Sequence, residues 1–324
     1  MPTYSRIIAT GSYLPEKVLT NKEMEEFVDT SDEWIFQRSG IRQRHIAAQE
    51  EFTSHMAVKA ARSALKQAGL SPFAIDGIIV ATTTPDRTFP STAVIVQAAL
   101  GVPAGLAFDM QAVCTGFIYA LSTADALIKS GQAKRILVIG AEKLSAILNW
   151  NDRTTCVLFG DGAGAVILER MDQPEEQQRQ GILSTHLYAD GTYKDILYTD
   201  GGVCTGGKSG HIVMHGREVF KQAVNLMSSA VIKALEHNGT NVSEIDWLIP
   251  HQANIRIIES TAKKLGFDME KVVVTVHNHG NTSAASIPLA LDESMRRGPV
   301  KQGDLVLFEA LGGGLTWGSA LVRL

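Results

Sequence analysis

A cysteine, a histidine and an asparagine carry the chemistry this chain can offer. Cys114 stands where a strand-like run, Gly105 to Val113, gives way to a helix-like run, Gly116 to Lys129. At a helix start, unpaired N–H groups and the macrodipole favour the thiolate, the nucleophilic form. The ordinary alternative is a buried structural cysteine, and position alone leaves both open. His251 follows the apolar run Ile245 to Ile249, at the strand end where α/β proteins place functional groups. It is equally readable as a structural histidine, since eight others occur. Asn281 offers an amide that cannot act as a base. The run Gly312-Gly313-Gly314 offers bare backbone N–H groups able to form an oxyanion hole. These residue types suit acyl transfer through a covalent thioester.

Other candidates are weaker. Cys156 lies in the apolar run Cys156 to Phe159 and reads as core, and Cys204 sits in a Gly-rich loop. His277 and His279 are spaced like metal ligands, but no Cys/His/carboxylate cluster joins them in sequence, so no metal site is expected. Gly160-Asp161-Gly162-Ala163-Gly164 looks like a phosphate loop. The strand-like run Ala165 to Leu168 follows it, however, whereas a dinucleotide or phosphate-binding fingerprint must open a helix. A tight hairpin with positive φ is the reading we prefer there.

An internal duplication would position the candidate groups. Cys114-Thr115 aligns with Asn281-Thr282, Asp125 with Asp292, Lys129 with Arg296 and Gly131 with Gly298, all at one offset of 167 residues. A second alignment at an offset of 170 matches Leu65, Gly69, Asp76 and Ile79 with Leu235, Gly239, Asp246 and Ile249. A third pairs Gly164 to Glu169 with Gly318 to Arg323. Repeats in the same order predict two sibling units. Helix-like segments alternate with short apolar strands such as Ile136 to Ile139 and Leu305 to Phe308, which predicts an α/β fold with mostly buried strands. The polar stretch Met171 to Gln180 lacks an apolar period and reads as a linker. The expected organisation is a half over 1–171, a linker over 172–181 and a half over 182–324. The halves would pack about a pseudo-twofold axis, with Cys114 and Asn281 beside it.

Bulk properties exclude several classes. With 324 residues, 45% hydrophobic and 20% charged, the chain is ordinary for a soluble globular protein. A net charge of −4 argues against a general nucleic-acid binder. No apolar run approaches the about 18 residues needed to span a bilayer, and the N-terminus lacks the apolar stretch of a secretory signal. Three widely spread cysteines are a poor disulfide framework and suit a reducing compartment. A cytoplasmic protein is expected.

Taken together, several runs resemble the β-ketoacyl-acyl carrier protein synthase III family, the initiating condensing enzymes of type II fatty-acid synthesis. They are Thr30 to Ile35 (TSDEWI), Phe159 to Gly164 (FGDGAG), His251 to Asn254 (HQAN), His279 to Ser283 (HGNTS) and Gly312 to Gly318 (GGGLTWG). The resemblance extends from Gly11 to the C-terminus. It implies a thiolase-like fold, layered α-β-α-β-α, and a catalytic triad of Cys114, His251 and Asn281. It also implies an oxyanion hole from the N–H groups of Cys114 and Gly313, and coenzyme A contacts at Trp34, Arg38, Arg153 and Asn254. Phe89, Leu144, Phe159 and Met214 would shape the acyl pocket, with Phe89 reaching across a homodimer interface. Lys221, Arg256, Lys263 and Lys264 would dock an acidic acyl carrier protein. Of these, Arg256, Lys263 and Lys264 fall on one helix face.

The reaction so implied is a decarboxylating condensation of a short acyl-CoA, such as acetyl-CoA, with malonyl-acyl carrier protein. Coenzyme A is then substrate and product, and no cofactor is expected. The alternatives are an acyl-transferring relative in secondary metabolism with another acceptor, a cysteine hydrolase with a papain-like Asn-His pair, and a non-catalytic acyl-binding protein.

Overall fold

The computed structural model describes residues 3–172 and 180–324. In chain order the first half carries β1 (Thr3–Tyr13), β2 (Lys17–Thr20), α1 (Asn21–Met24), α2 (Asp32–Ser39), β3 (Gln43–Ile46) and α3 (Thr53–Ala68). It continues with β4 (Gly77–Ala81), α4 (Thr92–Leu100), β5 (Leu106–Met110), α5 (Gly116–Lys129), β6 (Arg135–Glu142) and β7 (Gly162–Asp172). The second half carries β8 (Gly181–Ala189), β9 (Leu197–Thr199), β10 (Ile212–Met214), α6 (Gly216–Asn238) and β11 (Trp247–Pro250). After these come α7 (Ile255–Leu265), α8 (Val276–His279), α9 (Ser286–Arg297), β12 (Leu305–Gly312) and β13 (Thr316–Arg323).

Local signals set many of these boundaries. Ser31, Ser91 and Asn254 accept backbone N–H bonds as N-caps of α2, α4 and α7. Gly69 and Gly239 end α3 and α6 in the left-handed region, at φ 64° and 59°. Strands β4, β6 and β12 are almost wholly apolar because both their faces are covered.

The duplication is visible in the topology. One sheet has the order β1-β7-β6-β4-β5 and the other, read from its matching edge, β8-β13-β12-β11. In both, the first three strands pair antiparallel and the fourth joins parallel. A parallel bridge from Leu248 to Val272 marks the fifth position of the second sheet. Between the sheets, Phe117, Leu121 and Ile128 of α5 and Ile287 and Leu291 of α9 share a core with Val138 and Phe308. Met56, Ala60 and Ala64 of α3 cover the outer face of the first sheet. Val231, Ala234, Ile258 and Ala262 of α6 and α7 cover that of the second. The layering is α-β-α-β-α, a thiolase-type fold.

Three sequence expectations change. The register at the nucleophile is not 167. Among the described residues, Val113 and Ser283 are the non-glycine residues with positive φ, at 50° and 49°. Each opens a single 3₁₀ turn that leads straight into α5 or α9. Cys114 therefore corresponds to Ala284, and Ser286 stands 170 residues after Gly116, the offset of the second alignment. Arg297 stands only 168 after Lys129, so the shorter α9 makes the helix tails match better at the smaller offset. Secondly, Gly160, Gly162 and Gly164 have no positive φ. They are glycines because neighbours crowd them: a Cβ at Gly164 would lie 2.6 Å from Leu289 N, and one at Gly160 2.7 Å from His279 O. Thirdly, Asp172 closes β7 and Gly181 opens β8, while residues 173–179 of the expected linker lie outside the described residues.

Candidate active site

Cys114 occupies the middle of the turn between β5 and α5, 5% exposed. The helix start was expected to favour the thiolate, but burial dominates and pushes the thiol up to about 12. The Ser283 side chain opposes that shift, and the nearby Glu142 carboxylate adds to it. At rest the nucleophile is a thiol. The β12–β13 hairpin closes against it: a Cβ on Gly312 would lie 2.8 Å from Cys114 N and 2.7 Å from Ala112 O. Only glycine allows this approach.

His251 follows β11, and its backbone N–H donates to Glu309 O at 2.8 Å. The ring is buried, and desolvation pulls it down to about 3, so it is a neutral imidazole. Nδ1 lies 2.7 Å from Ser286 Oγ, which also accepts the Gln252 N–H at 3.3 Å. This contact orients the ring through Nδ1. Gln252 itself is a clamp. It donates to Pro250 O and Val273 O and accepts from the N–H groups of Thr275 and Val276.

Asn281 is fixed by its backbone, which exchanges bonds with Leu158 O at 2.9 Å and Gly160 N at 3.0 Å. Its Oδ1 accepts the Ser283 N–H at 2.9 Å. The amide orientation is thereby set, leaving Nδ2 as the group that can donate to a ligand. Preceding it, His279 Nε2 lies 2.8 Å from Glu293, and His277 donates to Gly40 O. Both spaced histidines thus have structural partners.

One cavity of about 680 Å³ is lined by Cys114, His251 and Asn281 together. Phe159, Met214, Leu197 and Leu311 line it too. Leu144 does not: it is buried behind Phe159, in a cluster with Ile147, Leu148 and Ile212. This corrects its assignment to the acyl pocket. Phe89 is also outside this cavity, 82% exposed on the segment after β4. Gly313 sits in the hairpin turn, where a Cβ would lie 2.7 Å from Leu197 O.

Toward solvent the lining becomes Trp34, Arg38, Asn254, Arg217 and Arg256. The Arg38 guanidinium lies 4.4 Å from the Trp34 ring centroid and that of Arg153 5.2 Å, with Arg153 also paired to Asp29 at 3.2 Å. These cation–π contacts occupy the indole, so a purine stacks there only by displacing a guanidinium. Asn254 Oδ1 is committed to capping α7, at 2.9 Å from Ile257 N. Lys221, Arg256, Lys263 and Lys264 are exposed on α6 and α7. Arg256 packs over Phe220 at 5.8 Å, and Lys264 bonds Asn225 at 2.6 Å.

Sequence reasoning missed Ser283, Ser286, Glu142 and Arg217. Ser283 ends the resembling run and Ser286 lies three residues past it, while Glu142 is a lone acid ending an apolar strand. That anomaly was the available signal.

Family models match both halves of the chain. The model described as 3-Oxoacyl-[acyl-carrier-protein (ACP)] synthase III matches residues 108–191, and its C-terminal counterpart matches 235–324. A β-ketoacyl-[acyl-carrier-protein] synthase III of Sinorhizobium medicae (strain WSM419) is 60% identical over 313 residues, 97% of either chain. One from Bradyrhizobium sp. (strain BTAi1) is 56% identical over 323 residues, 100% of both. The crystal structure of 3-oxoacyl-[acyl-carrier-protein] synthase III from Aquifex aeolicus VF5 superposes with a TM-score of 0.92 at 52% identity, covering 99% of this chain and 100% of that one. With identity this high over the full chain, and with thiol, imidazole and carboxamide meeting in one cavity, the chain belongs to the β-ketoacyl-acyl carrier protein synthase III family of thiolase-fold condensing enzymes.

Proposed function

We propose that this enzyme initiates fatty-acid synthesis by condensing a short acyl-CoA, preferably acetyl-CoA, with malonyl-acyl carrier protein. Coenzyme A and CO2 are released, and a 3-oxoacyl-acyl carrier protein is formed. The observation that carries this reading is the convergence of Cys114, His251 and Asn281 on one largely apolar cavity. Cys114 attacks the acyl-CoA thioester, and coenzyme A leaves as the thiol. The N–H groups of Cys114 and Gly313 serve the tetrahedral oxyanion in this proposal, with Gly312 bringing the hairpin against the nucleophile.

Malonyl-acyl carrier protein then occupies the emptied tunnel. Loss of CO2 puts negative charge on the thioester oxygen, where His251 Nε2–H and Asn281 Nδ2–H donate. A neutral imidazole suits this role, because it donates without protonating the enolate. The carbanion attacks acyl-Cys114, and the new C–C bond forms as the sulfur leaves.

Hydrolysis is disfavoured by the same geometry. A papain-like site needs the asparagine carbonyl on the histidine and a basic imidazole. Here Asn281 Oδ1 is taken by Ser283 and His251 Nδ1 by Ser286.

The acyl carrier protein is assigned to the exposed face of Lys221, Arg256, Lys263 and Lys264, with Arg217 added at the cavity mouth. Trp34, Arg38, Arg153 and Asn254 are assigned to coenzyme A. A homodimer is supported by β5, which ends its sheet with an unpaired edge and half-buried Leu106, Phe108 and Met110. In that dimer Phe89 enters the partner's acyl pocket and limits primer length. No described helix is long and apolar enough to cross a membrane, and substrates of this kind place the reaction in the cytoplasm.

The test is intact-protein mass spectrometry after exposure to acyl-CoA of increasing chain length, followed by malonyl-acyl carrier protein. An adduct mapped to Cys114, strongest for acetyl and discharged with CO2 release, is the expected result. Discharge to water without CO2 would favour the hydrolase.

A further inference from the structure

The two donors assigned to the enolate hang from one short segment. Asn281 Oδ1 accepts the Ser283 N–H at 2.9 Å, and His251 Nδ1 lies 2.7 Å from Ser286 Oγ. Between those serines runs the single 3₁₀ turn Ser283–Ala285, which opens on a left-handed residue, Ser283 at φ 49°. A non-glycine residue keeps that conformation only where its surroundings over-determine it.

The hold comes from the other half of the molecule. A Cβ on Gly140 would lie 2.1 Å from Ala284 O, so β6 runs directly against the turn. At the end of β6 the Ser283 hydroxyl donates to Glu142 Oε1 at 3.3 Å, with both residues buried. Four further donors fix that carboxylate: the hydroxyls of Thr82, Thr83 and Thr84 and the Thr83 N–H, between 2.6 and 3.2 Å. Thr84 in turn accepts the Lys143 N–H at 2.8 Å, which ties the network back to its own strand. An acceptor-only group suits a point where five donors converge.

The duplication sets this contact apart. Gly312 stands 170 residues after Glu142, at the end of the sibling strand β12, and Ser283 stands 170 after Val113. Each strand end closes on the turn of the opposite half. At the nucleophile the closing residue is a bare glycine, whose Cβ would lie 2.8 Å from Cys114 N. At the donor turn it is a carboxylate with a hydrogen bond. The nucleophile's turn carries its own reacting atom. The donor turn must aim two side chains rooted outside it, Asn281 just before it and His251 after β11, so a fixed anchor matters there.

We propose that Glu142 is a positioning residue for decarboxylation, holding through Ser283 the turn that aims Asn281 and His251. This role deepens the condensing function and rests on it. Glu142 acts by geometry: a donor displaced by about 1 Å loses on the order of 100-fold in rate.

The readout is CO2 release from malonyl-acyl carrier protein without acyl-CoA, with acetylation of Cys114 by acetyl-CoA measured in parallel by intact mass. Glu142→Leu and Ser283→Ala should each lower kcat for CO2 release about 30-fold, with KM within about twofold of wild type. Acetylation should fall at least about fivefold less than CO2 release. In Glu142→Gln, Oε1 can still accept from Ser283 and Thr83 while the amide nitrogen donates to Thr82 and Thr84. That variant should stay within about fivefold of wild type. Added to Asn281→Ala, Ser283→Ala should cost only about threefold more, because its main target is gone. Fully multiplied losses in that double variant overturn the proposal. Equal loss of both half-reactions, a loss confined to KM, or Glu142→Gln as slow as Glu142→Leu overturns it too. Ser283→Ala keeps the carboxyl network, so it reads the anchor even if Glu142→Leu misfolds. A wild type that forms acetyl-Cys114 but releases no CO2 would instead sink the condensing function itself.

Discussion

Buried carboxyls show how little a residue's type says about its task. Glu142 meets several donors, whereas neither oxygen of fully buried Glu309 has a partner, and burial raises Glu309 to about 8. A folded-state value above the unfolded one means stability is present at acid pH and lost as pH rises. Wild type should therefore lose stability between about pH 4.5 and pH 8, by up to roughly 1.4 kcal/mol per unit. Glu309→Gln should lack that share of the slope, as urea unfolding across the range would reveal. An identical pH dependence in both proteins would show Glu309 to be solvated or paired. His251 acts oppositely: its depressed value gives stability that is lost as pH falls below about 6.5 toward 3. In catalysis, Asn281→Ala should keep acetylation of Cys114 while condensation drops about 100-fold, seen by comparing the adduct rate with CO2 release. The triad positions were legible in sequence through the resemblance. The anchoring of the imidazole and the amide orientation were not, because Ser286 and Ser283 are ordinary serines until the chain folds.

At the scale of elements, β7 and α9 pack so closely that the glycines between them are steric requirements. Gly164→Ala would put a methyl group 2.6 Å from Leu289 N and 2.7 Å from Pro288 C, both backbone atoms. We expect a loss of about 1–3 kcal/mol in urea unfolding, against little change for Gly191→Ala, where nothing lies within 4 Å. Equal effects would mean that the strand can move away. The helix ends at Gly69 and Gly239 were readable beforehand, since a C-terminal glycine acts locally. The glycine run that leads into and opens β7 reads as a turn in the sequence, yet it is strand from Gly162 on. A glycine needed for positive φ and one needed for close approach look alike until the neighbouring helix is in place.

For the whole molecule, the open edge of β5 is the feature with the largest consequence. If the proposed dimer forms through this edge, Phe108→Glu should give monomers in size-exclusion light scattering and reduce acylation, since the proposed entry of Phe89 into the partner's pocket would be lost. A Phe108→Glu protein that remains dimeric would place the interface elsewhere. Phe89→Ala, by contrast, should stay dimeric and accept longer primers in the adduct assay. Periodicity, caps and repeated runs along the chain determined that it forms two related α/β units, because those signals come from contacts within a few residues. The family resemblance singled out Cys114, His251 and Asn281. Tertiary structure decided the rest: that Cys114 is matched by Ala284 rather than Asn281, that the thiol stays protonated, and that Glu142 of one half meets Ser283 of the other. Those outcomes depend on desolvation and on donors from four separate segments, and neither exists until both halves have closed over the cavity.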